Sequence, residues 1–249
     1  ARLLKELQVH STLDSTNAEL LRQAQQGGCS GTVCTAERQT AGRGRRGRQW
    51  VSPFGRSIYL SVLWEFTAGA AALEGLSLAV GVSVARALAN CGVQDVRLKW
   101  PNDILIGGAK LGGILLEMKG GDDDACQVVV GVGINVAMPS VAAAAIDQPW
   151  VDIAGDSNTP DRNRLLAALL DELLPLLSQY QSSGFAPWRE DWLQLDAFAD
   201  HPVILLSGDQ QQRGVARGVD EAGALRLETS AGVQSIYGGE ISMRPVRET

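Results

Sequence analysis

The chain has 249 residues, 45% of them hydrophobic and 20% charged, enough for one large domain, or one domain with a small appendage, around a substantial core. Its formal net charge of −6 argues against a dedicated nucleic-acid binder, which would be basic overall. Four cysteines (Cys29, Cys34, Cys91, Cys126) form no C-x-x-C pair and the two histidines (His10, His201) no ligand-like cluster, so a zinc site is not expected and the unpaired thiols suit a reducing cytoplasm.

The opening ARLLKELQVH is charged, unlike a secretory signal. DSTNAELLRQAQQGG has an Asp/Ser/Thr start, helical spacing and a Gly-Gly stop, and predicts a capped helix of about three turns. GTVCTAERQ predicts a strand, QTAGRGRRGRQW a loop, and the β-branched and aromatic SIYLSVLWEF another strand. Residues 70–91, rich in alanine, predict a helix; glycines, Glu74 and Arg86 interrupt this longest apolar stretch, so it reads as buried and not as a membrane span. VRLKW predicts a short strand ending in the turn PND. KLGGILLEMKG and CQVVVGVGINV predict a hairpin closed by the acidic turn GDDD. Residues 139–160 show no clear period and predict a mobile segment. DRNRLLAALLDELLPLLSQYQSSG predicts an amphipathic helix, bent or shortened at Pro175. From His201 onward, short strands separated by frequent turns predict a small β-barrel. The expected division is therefore residues 1–197 and 198–249.

The loop contains Gly42, Gly44 and Gly47 in the spacing G-x-G-x-x-G, the dinucleotide fingerprint. With 28 glycines in 249 residues that spacing arises by chance in roughly one such chain in three. A dinucleotide turn must also open a helix, whereas Pro53, Phe54 and Gly55 and then a strand follow here. The dinucleotide reading fails. A nucleic-acid patch would explain the arginines but not the glycines between them. Interleaved glycines and arginines suggest backbone N–H groups and guanidinium forks converging on one small anion. Other polar residues stand where strands end: Asn102 and Asp103 in KWPNDI, Lys110 in KLGGILLE, Asn135 in GVGIN. Each alone is also compatible with an ordinary turn or surface position, and STN with a simple helix cap.

Taken together, DSTN, GRGRRGRQW, KWPND, KLGGILLE and GVGIN, in this order, resemble the biotin protein ligases of bacteria. The resemblance runs from about residue 9 to residue 246 and includes the closing GGEISMR. It implies an α/β catalytic domain, with a mixed β-sheet backed by helices as in class II aminoacyl-tRNA synthetases, followed by an SH3-like barrel. It also implies a two-step ligation. Biotin's carboxylate attacks the α-phosphate of ATP, and the biotinyl-adenylate then acylates a lysine of a biotin carboxyl carrier protein. Ser15, Thr16, Asn17 and Gln39 match the family's contacts to the biotin ring, and Gly42, Arg43, Gly44, Arg45 and Gly113 its cover over biotin and the activated carboxyl. Lys110 matches the lysine at the carboxylate and α-phosphate; with Arg45 and Asp103 it is a candidate catalytic residue. Asn102, Asn135, Trp50 and Trp150 match the nucleotide side, where Asp103 would help to organise Mg2+.

Many relatives carry a winged helix-turn-helix domain ahead of this region. Only about fourteen residues precede STN here, so no specific DNA binding by this chain alone is expected, nor a membrane partner; a homodimer is left open. Two other readings compete: a lipoate or octanoate ligase of the same fold, and a nucleic-acid-binding module using the arginine loop.

Overall fold

The computed structural model describes residues 3–67, 69, 73–120, 126–143, 146–155, 161–239 and 241–246. Strand β1 (Glu6–His10) leads to helix α1 (Thr16–Gln25) and strand β2 (Thr32–Ala36). The arginine–glycine loop follows, with a short 3-10 turn at Arg45–Gly47, and then β3 (Ser57–Phe66). Helix α2 (Leu76–Asn90) precedes β4 (Val96–Lys99), β5 (Asp103–Ile106), β6 (Ala109–Gly120) and β7 (Cys126–Asn135). The seven strands form one mixed sheet in the order β1-β2-β3-β7-β6-β5-β4, parallel between β1 and β2 and antiparallel elsewhere.

Strand alternation divides this sheet into a structural and a working face. On β3 and β7, Ile58, Leu60, Val62, Val128, Val130, Val132 and Ile134 enter the large core with α2 and the later helices. The opposite parity gives Leu63 and Val129 to a small core beneath Leu20 and Ala24 of α1. The same parity gives Ser61, Gly131 and Gly133, next to the end of α1. There α1 stops covering the sheet, and a cleft begins.

Ser15 caps α1, as expected, its side chain accepting from Ala18 N. After β7 come a one-turn helix α3 (Ser140–Ala143), a 3-10 turn at Ile153–Gly155, α4 (Arg162–Ser183) and α5 (Ala186–Leu195). Helix α4 is not shortened at Pro175; it continues to Ser183, and its apolar face (Leu165, Leu169, Leu173, Leu177) is buried along its length. Burial of that face outweighs the hydrogen bond a proline removes. The segment expected to be mobile is docked in part: Lys110 N donates to Pro149 O and Val151 N to Lys110 O, both at 3.0 Å. β6 and β7 pair antiparallel up to Gly120 and Cys126, and the GDDD turn lies outside the described residues.

The remaining strands, β8 (Pro202–Ser207), β9 (Gln210–Val219), β10 (Leu225–Thr229), β11 (Gly232–Ile236) and β12 (Ile241–Pro245), form a five-stranded antiparallel sheet in the order β11-β10-β9-β8-β12. This is consistent with the small SH3-like domain expected; among the described residues β11 and β12 are the outer strands of the pairing. Trp100, fully buried at the end of β4, donates its indole N–H to Gly223 O at 3.2 Å and ties the two sheets together.

Candidate active site

The cleft is floored by the free face of β3, β6 and β7 and roofed by the arginine–glycine loop. One wall is the Trp100–Asp103 turn; the other is β12, through Ile241, Ser242 and Met243. Of the residues singled out from sequence, Ser15, Thr16, Asn17, Gln39, Arg43, Gly44, Arg45, Trp50, Asn102, Asp103, Lys110 and Gly113 line it together. Asn135 and Trp150 line an adjoining pocket that shares Trp50 and Lys110 with the main cleft. Gly42 lines neither. It packs under the loop instead, where an added Cβ would lie 2.7 Å from Trp50 O.

One end of the cleft is neutral and tightly hydrogen-bonded. Ser15, Thr16 and Asn17 are buried at the start of α1. Thr16 donates its backbone N–H (2.8 Å) and its hydroxyl (3.1 Å) to Gln39 Oε1. Ser61, fully buried on β3, donates to Asn17 Oδ1 at 2.5 Å and lies 2.8 Å from Thr16 Oγ1. Asn17 Nδ2 donates to Glu117 Oε2 (2.9 Å) and Leu115 O (3.3 Å). Gly131 is required under this network, because a Cβ there would come within 2.2 Å of Asn17 Oδ1.

The other end is charged. Asp103 accepts from Lys110 on Oδ1 (2.5 Å) and from Lys99 on Oδ2 (2.6 Å), with all three side chains nearly buried. Burial alone would raise the Asp103 pKa, but the two ammonium charges outweigh it and hold the carboxyl down at about 2. Burial pushes Lys110 below its ordinary value, with Asp103 opposing. Lys110 Nζ also stands 5.6 Å from the Trp50 ring centroid. Gly113 and Gly133 leave room for that indole, with Cβ positions 3.4 and 3.0 Å from its ring carbons. The indole Nε1 is buried without a hydrogen-bond acceptor among the described residues.

Arg45 crosses the cleft. It donates to Asn102 Oδ1 (3.0 Å), to Ile241 O (3.2 Å) and to Gly239 O, while Asn102 Nδ2 is fixed on Ile114 O at 2.9 Å. Arg43 reaches Glu117 Oε1 at 3.2 Å. Arg45 is held by three acceptors across the cleft and the half-exposed Arg43 by Glu117, unlike a free stripe that tracks a nucleic-acid backbone. Among the described residues the main cleft is lined by six cationic side chains (Arg43, Arg45, Arg46, Arg48, Lys99, Lys110) and one carboxylate, in a chain of net charge −6. The buried part of this set, Lys99 and Lys110 sharing the Asp103 carboxylate, is suited to receiving an anion. Among the described residues no histidine or cysteine lines it.

Sequence reading missed Lys99, Ser61 and Glu117. Lys99 stands beside the PND turn and could have been counted with it; Ser61 and Glu117 carry no local signal, because only cross-strand register brings them to Asn17.

A mixed sheet with a cleft that pairs a neutral polar end and a cationic end, closed by a small antiparallel sheet, defines a binding protein for a ligand that is polar at one end and anionic at the other. The model of the biotin/lipoate A/B protein ligase family matches residues 9–135, and that of the biotin protein ligase C-terminal domain matches residues 200–244. The chain is 44% identical to the bifunctional ligase/repressor BirA of Escherichia coli, covering 93% of this chain and 72% of that one. It is 38% identical to the biotin–[acetyl-CoA-carboxylase] ligase of Paracoccus denitrificans, over 92% and 96% respectively. The biotin protein ligase from Aquifex aeolicus in complex with biotin and ATP superposes with a TM-score of 0.83 at 29% identity, over 98% of this chain and all of that one. The chain belongs to the biotin protein ligase family.

Proposed function

We propose that the protein joins biotin to AMP and passes the biotinyl group to a lysine of a biotin carboxyl carrier protein. The observation that carries this reading is the pairing, in one cleft, of a saturated neutral hydrogen-bond cluster with the Lys99–Asp103–Lys110 cluster. Biotin offers a polar ureido ring at one end and a carboxylate at the other. Thr16, Asn17, Ser61 and Gln39 suit the ring, and Lys110 and Arg45 the carboxylate.

In the first step a biotin carboxylate oxygen bonds to the α-phosphorus of ATP, and the bond to the β-phosphate oxygen breaks, releasing pyrophosphate. Both partners are anions, so the barrier is dominated by charge repulsion. Lys110 and the loop guanidiniums neutralise it while fixed in place. Asp103 keeps Lys110 aimed. Its low pKa makes it a permanent carboxylate and a poor proton acceptor. Both its oxygens are taken by lysines and no second carboxylate lines the cleft among the described residues, so these residues do not form a resident magnesium site. Any magnesium enters as part of the ATP substrate. In the second step the acceptor amine attacks the acyl carbon, the acyl–phosphate bond breaks, and AMP leaves. The pocket of Trp50, Asn135 and Trp150 takes the nucleoside.

Exchange of labelled pyrophosphate into ATP tests the reading. Biotin-dependent exchange, with a biotinyl mass increase on an added carrier domain, is expected. Exchange driven by lipoate or octanoate and not by biotin, or none at all, overturns it.

A further inference from the structure

Glu117 lies outside the ring of residues that line the main cleft, yet it holds two parts of that ring at once. It sits on β6 with a quarter of its side chain exposed, Oε2 accepting from Asn17 Nδ2 (2.9 Å) and Oε1 from Arg43 Nη1 (3.2 Å). A carboxylate only accepts, so it fixes the Asn17 amide with nitrogen toward β6 and oxygen toward the Ser61 hydroxyl. Ser61 lies against Thr16, and Thr16 donates twice to Gln39. A continuous chain thus runs Arg43–Glu117–Asn17–Ser61–Thr16–Gln39. Both of its ends, Gln39 and Arg43, belong to the loop that roofs the cleft.

We infer that Glu117 is a positioning residue that couples filling of the neutral end of the cleft to closure of the arginine–glycine loop. The inference rests on the reading of that end as the site of the biotin ring. A ligand bonded to Asn17 and Thr16 holds those side chains in one arrangement. Asn17 then holds Glu117 in one rotamer, and the second Glu117 oxygen is presented to Arg43. A half-exposed Arg–Glu pair contributes little by itself. Here it acts because the other oxygen of the same carboxylate is already engaged.

The test uses the full chain with Glu117→Gln, which keeps the shape, and Glu117→Ala, the binding and cleavage measurements being made with biotin alone and no ATP. Biotin affinity is measured by calorimetry, tryptic cleavage at residues 43–48 is compared with cleavage at exposed arginines elsewhere, and the KM for ATP is measured at saturating biotin. In the unaltered protein, biotin should protect the loop. Glu117→Ala should weaken biotin binding roughly 10- to 100-fold, and both variants should leave the loop open to trypsin even when biotin is saturating. The KM for ATP should move less than about threefold. Adding Arg43→Ala to Glu117→Ala should cost no further biotin affinity. Full protection of the loop in both variants, or independent and additive losses in the double variant, overturns the inference. If the unaltered protein itself does not bind biotin, the functional reading fails and this inference with it.

Discussion

The two ends of the cleft solve opposite problems. At the Asn17 end the side chains of Thr16, Asn17, Ser61 and Gln39 are joined to one another by hydrogen bonds. At the Lys110 end two ammonium groups share one carboxylate, so among these three side chains positive charge is in excess. The first end recognises shape and hydrogen bonding, which reward a snug match. The second stabilises charge that is fully present only when two anions meet, which rewards surplus.

The largest expected effect comes from the charged end. Lys110→Ala should slow biotin-dependent pyrophosphate exchange about 10²–10³-fold, the usual loss for one fixed charge stabiliser. Its thermal stability should change little, because Asp103 keeps Lys99 as a partner. Near-normal exchange would remove Lys110 from the reaction. Gly131→Ala attacks the neutral end. The new methyl would meet Asn17 Oδ1 at 2.2 Å, so Asn17 must swing away from Ser61 and Glu117. Calorimetry should show biotin binding weakened roughly 10- to 100-fold, with the affinity for ATP nearly intact. Equal losses for both substrates would mean that the ends are not separate.

Arg45→Gly removes the strap across the cleft. The adenylate should leave about tenfold faster, and bystander proteins mixed with the variant, biotin and ATP should become biotinylated on exposed lysines. Labelling confined to the carrier would contradict a retaining role. The smallest effect lies away from the cleft. Burial raises the Asp196 pKa from 3.8 to about 6, and Asp196 Oδ2 has no hydrogen-bond partner among the described residues. Between those two values the folded protein binds the proton and the unfolded chain does not. Stability should therefore rise as pH falls from 7 toward 4, by about 1–2 kcal/mol after discounting for partial exposure. Asp196→Asn should flatten this slope in urea titrations. Asp103 has the opposite sign: its contribution is present above pH 3.8 and is lost as pH falls toward 2, so the two windows do not overlap.

What was legible in the sequence was local. The cap at Ser15, the β-branched and aromatic run of β3 and the glycines around Lys110 each leave a mark within a few residues. β1 was missed because KELQVH is half polar and pairs only on one side. β5 was missed because DILI follows so closely on the PND turn. Helix α5 did carry a signal, a proline in its first turn and Trp188 and Trp192 one turn apart. Pro175 misled because a proline costs one hydrogen bond, whereas α4 buries seven leucines across more than three turns. The adjoining pocket around Trp150 depends on a backbone bridge to Lys110 forty residues earlier, which no local pattern encodes.

Arg45 is fastened at the same time to Asn102 of the large sheet and to backbone oxygens at Gly239 and Ile241 of the small one. Thermodynamic reciprocity then links events that share no contact. A ligand that draws Arg45 into the cleft must loosen its grip on β12 by the same free energy that a molecule grasping β12 would spend in changing that ligand's affinity. Through Arg45 the cleft and the C-terminal sheet are thereby two ends of one balance, and a load placed on either is felt at the other.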